Sequence, residues 1–296
     1  MSLTITSECL LCHFNRNITK ARSLGGEQTA TEFARRLMQI YLKAPEGVSI
    51  PYIGPEVADL FHELYGVDLD LFRAEKQEAN QFVLARVDDI RSRVAQAPDP
   101  LLAGLRYAIL GNFLDYNALR GEVTMEKMAA LLDSAGDMAL DPENVESLRR
   151  DLEQGKRLLI ITDNAGEIGF DRVLAEQIQA LYPHLRITFC VRGGIAANDA
   201  TREDAALMGI PFPVIDNGSR IAGTQIGYLG EELQQALETT DVIISKGQAN
   251  IETMLGCGYN VYYAFLLKCG RFTRMFDLPK LTPMLLRERA ATGLCL

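Results

Sequence analysis

The most constraining stretch of this sequence is residues 156–173, where the chain changes character at a single point. Residues 158–161 are Leu, Leu, Ile and Ile, an aliphatic run that does not alternate with polar residues. Such a run reads as a strand covered on both faces, which is the habit of parallel sheets flanked by helices. Thr162, Asp163 and Asn164 follow, then the Ala165-Gly166 turn, then Glu167 and Asp171. Val173, Leu174, Ile178 and Leu181 recur at helical spacing. The order is therefore strand, carboxylate-rich turn, helix. Open parallel sheets bind ligands beyond the carboxyl ends of their strands, which is where Asp163 and Asn164 would stand. Their oxygens are hard donors of the kind that suit magnesium or manganese. Taken alone, the pair has a second reading as the cap of the next helix.

The same texture recurs downstream. Strands are predicted at 186–191, 213–215, 241–245 and 261–267, with helices at 201–208 and 229–237. The second strand runs into Arg192, Gly193, Asn198 and Asp199, and the third into Asp216, Asn217, Gly218 and Ser219. The fourth runs into Lys246, Gly247, Asn250 and Glu252, and the last into Lys268 and Cys269. Right-handed crossovers bring all these ends to one rim of the sheet. Asp, Asn and Gly are ordinary turn residues, so no cluster is diagnostic by itself. Their repetition at successive strand ends is. Two carboxylates and an amide opposite a lysine outline a phosphate site, in which a metal polarises phosphoryl oxygens and the ammonium supplies a point charge.

Residues before about 150 have helical texture only, with segments expected over 29–42, 57–65, 70–95, 101–110 and 124–139. The expected organisation is an all-α region, 1–150, followed by an α/β domain, 151–296, with a parallel Rossmann-like sheet and helices on both faces. Gly111, Asn112 and Asp115 interrupt an apolar stretch, either as a wet helix face or as a helix edge turned into the cleft. Cys9, Cys12 and His13 match the haem-attachment spacing, but residues 1–8 have neither a basic region nor a long apolar segment, and such attachment belongs to exported proteins. Two readings stay open for Cys9, Cys12 and Cys269: thiols lining the pocket or holding a second, softer metal, and plain burial.

Composition limits the partners. Lys and Arg total 30 against 39 Asp and Glu, a formal charge of −9, which argues against nucleic acid and anionic membranes. No apolar run approaches the roughly 20 residues of a membrane span. Six cysteines without a signal segment read as reduced thiols or ligands rather than a disulfide framework, and a cytoplasmic enzyme is the expected class.

The order and spacing of Cys9 and Cys12, Gly111, Asn112 and Asp115, Asp163, Asn164, Gly166, Glu167 and Asp171, Arg192 and Gly193, Asn198, Asp199 and Thr201, Gly218 and Ser219, Gly223 and Thr224, and Lys246, Gly247, Asn250 and Glu252 resemble the DUF89 family of damage-control phosphatases over nearly the whole chain. The Cys pair resembles the prokaryotic branch. This resemblance implies metal-dependent hydrolysis of small phosphorylated metabolites, such as sugar phosphates and other phosphomonoesters. It implies a divalent metal (manganese, magnesium, cobalt or nickel) on Asp163, Asn164 and Asp199. Lys246 would hold the phosphate, completing a catalytic set with Asp163 and Asn164. Asn112, Asp115, Glu167, Asp171, Arg192, Asn198, Gly247 and Asn250 would line the substrate pocket. A methyltransferase-like group transferase, or a non-catalytic metal- or phosphometabolite-binding protein, remains open on the same fold. The glycine fingerprint of dinucleotide enzymes is absent after the first strand.

Overall fold

The computed structural model describes residues 3–114 and 125–288. Asp115 lies outside the described residues. The chain opens with helices α1 (Ser7–Lys43, broken at Gly26), α2 (Gly54–Tyr65), α3 (Arg73–Leu84), α4 (Val87–Gln96), α5 (Pro100–Gly111), α6 (Met125–Asp133) and α7 (Pro142–Gln154). Then come β1 (Arg157–Ile161), α8 (Glu167–Leu181), β2 (Arg186–Val191), α9 (Arg202–Leu207), β3 (Val214–Asp216), α10 (Glu231–Thr239), β4 (Val242–Lys246), α11 (Gln248–Met254), β5 (Val261–Leu266), α12 (Gly270–Phe276) and β6 (Pro283–Arg287).

The sheet order is β3-β2-β1-β4-β5-β6. The first five strands are parallel and β6 runs antiparallel against β5. The sheet is thus mostly parallel rather than wholly so. Pro283 opens the edge strand, where its missing N–H costs no ladder bond. β1, β4 and β5 are buried almost throughout, as their unbroken apolar runs require.

Helices cover both faces. Tyr262 and Ala264 of β5 join one core cluster, and Tyr263 and Phe265 join another, as alternation along a strand demands. The first cluster also contains Phe82, Leu101, Leu105, Leu148, Ile160, Val173 and Ile178. It therefore runs across residue 150, where the secondary structure changes but the packing does not. A third cluster, around Phe33, Leu37 and Phe61, belongs to α1 and α2.

Several helical expectations shift; the helix expected over 29–42 begins at Ser7, and that expected over 124–139 ends at Asp133. The long helix expected over 70–95 is two helices, because Arg86 leaves helical geometry and folds its guanidinium back over the Phe82 ring, 3.9 Å from its centre. α7 lies outside the segments expected from helical texture, although it carries a start signal: Asp141 accepts from the N–H groups of Glu143 and Asn144, and Pro142 opens the helix.

What positions the site is the sheet order. β1 pairs with β2 on one side and β4 on the other. The chain leaves β1 for α8 in the first cluster and β4 for α11 in the second, through Val173 on one face and Ile251 on the other. A crevice opens between such diverging connections.

Candidate active site

Asp163 and Asn164 follow β1, and Lys246 ends β4, so the two sides of the switch point meet there. Gly247 turns the chain immediately beyond Lys246 with φ +80°. A Cβ at this position would fall 2.0 Å from Asp163 Oδ2, so only glycine lets the β4 turn pass the carboxylate.

Asn112 arrives from the helical region. Gly111, the last residue of α5, lies against Phe170 and Glu167 closely enough that a Cβ would meet them at 2.8 Å and 3.0 Å. That close approach carries the Asn112 amide over the β1 turn, where Nδ2 donates to Asp163 Oδ2 at 2.9 Å and Glu167 Oε2 at 3.0 Å. Asn112 Oδ1 accepts from the N–H of Leu266, the last residue of β5. Asn164 Nδ2 repeats the bridge, donating to Asp163 Oδ2 at 2.8 Å and Glu167 Oε2 at 2.7 Å. Two amides thereby hold two neighbouring carboxylates together. The helix-edge reading of Asn112 fits this geometry, since its side chain is buried in the cluster.

Lys246, Glu167 and Asp171 are completely buried. Lys246 Nζ donates to Glu167 Oε1 at 2.5 Å and to the Ala108 carbonyl at 2.8 Å, and lies 2.9 Å from Asp171 Oδ1. The Asp171 contact is an ion pair without hydrogen-bond alignment. Burial pushes the Asp171 carboxyl up to about 7, with Lys246 opposing and Glu167 adding to the rise. Burial alone would lower the Lys246 ammonium, but Asp171 and Glu167 more than offset it, so it is held charged. An ammonium has three N–H donors. Two of them go to the Ala108 carbonyl and Glu167, and Asp171 stands beside the ammonium without an aligned bond.

The β2 end supplies Arg192, Asn198 and Asp199. Asn164 and Asp199 face each other in an isolated antiparallel bridge. Ala200 N donates to Asp163 O at 2.7 Å and Ala165 N to Asn198 O at 2.9 Å, tying the two loops together. Asn198 Nδ2 donates to Asn164 Oδ1 at 2.8 Å. Arg192 Nε donates to Asp199 Oδ2 at 2.5 Å, and Nη2 to the Thr162 carbonyl and Asn250 Oδ1. Among the described residues, its buried Nη1 has no hydrogen-bond partner. Asn250 Nδ2 donates to the carbonyls of Thr162 and Lys246, joining β1, β2 and β4 at their ends. Thr224 Oγ1 completes that network by donating to Asn250 Oδ1 at 2.8 Å. Gly223 and Thr224 belong to the motif series, and the fold brings Thr224 into the cluster.

The structure thus gathers every described residue of the expected polar set. Among the described residues, four buried carboxylates, Asp163, Glu167, Asp171 and Asp199, face two cations, Lys246 and Arg192. An excess of buried negative charge is costly unless a proton or a cation offsets it. Among the described residues, no three His, Cys, Asp or Glu side chains are arranged to hold a metal by themselves. Asp163, Asn164 and Asp199 form a different set, two carboxylates and an amide. Few protein ligands and room for water and substrate oxygens are the habit of magnesium-like sites, so these donors fit such an ion.

Cys9 and Cys269 are half-buried and Cys12 is exposed. Cys9 Sγ accepts from Thr6 Oγ1 and lies 3.7 Å from Arg271 Nη1. Burial raises the Cys269 thiol, with smaller contributions from Glu252 and Cys9. His13 turns instead to the Tyr41 hydroxyl at 2.8 Å. Cys9 and Cys269 lie near enough for one to influence the other's titration, and Cys12 is exposed.

This is a doubly wound α/β fold with a buried carboxylate–amide–lysine cluster at its switch point, the place where such sheets bind ligands. The chain belongs to the damage-control phosphatase ARMT1-like domain family, whose model matches residues 5–278. It is 32% identical to a damage-control phosphatase of Archaeoglobus fulgidus over 218 residues, covering 72% of this chain and 74% of that one. It is 28% identical to a damage-control phosphatase of Pyrococcus horikoshii over 289 residues, covering 94% and 96%. The crystal structure of a DUF89 family protein from P. horikoshii has the same fold, with a TM-score of 0.79 at 23% identity, covering 96% of this chain and 99% of that one. Among the described residues, no helix is long and apolar enough to cross a membrane.

Proposed function

We propose that this protein is a divalent-metal-dependent phosphatase that hydrolyses small phosphorylated metabolites, phosphomonoesters above all. The relatives named damage-control phosphatases support the reaction class. The observation that carries the metal dependence is the buried excess of carboxylates around Asp163, next to donors of the hard-oxygen type.

Asp163, Asn164 and Asp199 would hold the metal. When bound, it supplies a Lewis acid that polarises the phosphoryl group and neutralises part of its charge. Asn112 and Glu167 fix the Asp163 carboxylate in place through the two-amide bridge. Lys246 keeps a positive charge beside the cluster in a site closed to water, where such a charge acts more strongly than in solution. Arg192 orients Asp199 through Nε and has Nη1 left to donate to a substrate oxygen. Hydrolysis consumes one water and releases inorganic phosphate and the alcohol.

The test is release of inorganic phosphate from a panel of sugar phosphates and other phosphomonoesters, with manganese, magnesium, cobalt or nickel supplied in turn. Turnover that needs metal and no cosubstrate is the expected result. Release only with an added acceptor would favour a group transferase, and binding without turnover a non-catalytic role.

A further inference from the structure

One buried polar cluster lies outside the site described above and connects its two loops. Asn80, on α3, is 2% exposed, yet its amide is fully engaged. Its Oδ1 accepts from the Gly166 N–H at 2.7 Å, and its Nδ2 donates to Asp204 Oδ1 at 2.9 Å. Asp204 Oδ2 in turn accepts from the Thr201 N–H at 2.8 Å and the Thr201 hydroxyl at 2.9 Å, and pairs with Lys76 Nζ at 2.8 Å. Lys76 and Asn80 are four residues apart on α3, hence on one helix face.

The two ends of this chain of bonds are informative. Gly166 caps the start of α8, three residues after Asp163. Its φ of +76° and the α3 backbone leave no space there, since a Cβ would fall 2.8 Å from Ala79 Cβ and 3.0 Å from the Ala79 carbonyl. Thr201 caps the start of α9, two residues after Asp199. The loops are already zipped at their inner ends by the bridge between Asn164 and Asp199. Asn80 ties them again at their outer ends. One amide from the helical region therefore spans the loop that carries Asp163 and Asn164 and the loop that carries Asp199.

We infer that Asn80, with Asp204 and Lys76, is a positioning clamp that sets the separation of the Asp163–Asn164 and Asp199 donors and so tunes divalent-cation affinity at the site. This rests on the proposed assignment of those three residues as the metal donors. Asn80 touches neither metal nor substrate. It acts through the backbone N–H of Gly166 and the cap of α9. Partners that orient ligands from behind typically change metal affinity about 10- to 100-fold when removed.

The experiment compares the metal-free full chain, wild type and Asn80→Ala, by hydrogen exchange over residues 163–167 and 199–204 and by calorimetric titration with manganese ion. Asp99→Ala is the control: it removes the cap of α5, where Asp99 accepts from Leu102 N–H, without touching either loop. The expected result is faster exchange in both loops of Asn80→Ala and manganese affinity weaker by about 10- to 100-fold, with Asp99→Ala matching wild type in both readouts. Unchanged exchange in either loop, or loosened loops with wild-type manganese affinity, overturns the clamp. If wild type itself binds no manganese, the metal assignment fails, and with it the tuning of affinity; the exchange measurement then still decides whether Asn80 ties the loops. Asn80→Ser, smaller but polar, carries the same expectations should Asn80→Ala not fold.

Discussion

Gly247→Ala isolates the placement of Asp163 from every other property of the site. The substitution adds one methyl group and no charge. Its Cβ would lie 2.0 Å from Asp163 Oδ2, 2.1 Å from Cγ and 2.7 Å from Cβ. Carbon and oxygen do not approach that closely without a bond, so the carboxylate must retreat by at least about 1 Å. A displacement of about 1 Å in an active site costs on the order of 100-fold in rate. The substitution also forces alanine to φ +80° and ψ 160°, a region essentially confined to glycine, at a cost of about 1–3 kcal/mol. Gly258→Ala separates the two effects, because Gly258 has φ +83° and nothing within 4 Å of its would-be Cβ. Both variants carry the strain of a positive φ. Only Gly247→Ala should lose about 100-fold in metal-dependent kcat/KM for phosphate release. Equal activity in the two variants would refute the claim that the Asp163 position governs turnover.

Lys246→Met should destabilise the protein by about 3–5 kcal/mol in urea unfolding, because it strands Glu167 and Asp171 in a fully buried pair of negative charges. Adding Asp171→Asn to that variant should restore part of the loss. In the metal-free protein, the Asp171 carboxyl at about 7 binds a proton in the folded chain that the unfolded chain has released, so its contribution to stability falls as pH rises from about 4 to 7. Asp171→Asn should remove that slope in unfolding free energy measured across the window; an unchanged slope would reject the assignment. Arg192→Lys keeps the charge but cannot reach Asp199, the Thr162 carbonyl and Asn250 together. It should lower kcat/KM while leaving the far-ultraviolet dichroism unchanged.

The parts legible in the sequence share one property: their signal is local. The aliphatic runs of β1, β4 and β5, the polar residue types at strand ends and the rim they form could all be read from consecutive residues. β6 escaped because an edge strand is half wet and opens on a proline, which blurs both period and propensity. The break between α3 and α4 escaped because no glycine or proline marks it; Arg86 folding over Phe82 does. The role of Lys246 was only half legible. Its place at the end of β4 was readable, but its contact with Ala108, Glu167 and Asp171 depends on α5 lying against α8. Asn80 gave no local sign. It is one polar residue on an amphipathic helix, and its partners lie 86 and 124 residues away.

The central claim is that hydrolysis depends on a divalent metal held at Asp163. It is tested most directly by titrating metal-free wild type and Asp163→Asn with manganese while following phosphate release from an aryl phosphate. Asparagine preserves the shape of the side chain and an oxygen acceptor for the Asn112 and Asn164 amides, so the fold is retained while one charged ligand is lost. Wild type should gain activity with manganese and saturate. Asp163→Asn, with an unchanged dichroism spectrum, should stay at least about 100-fold lower at every manganese concentration, the scale of loss for a key electrostatic group. Wild-type turnover in Asp163→Asn, or full wild-type activity without any metal, would contradict the account.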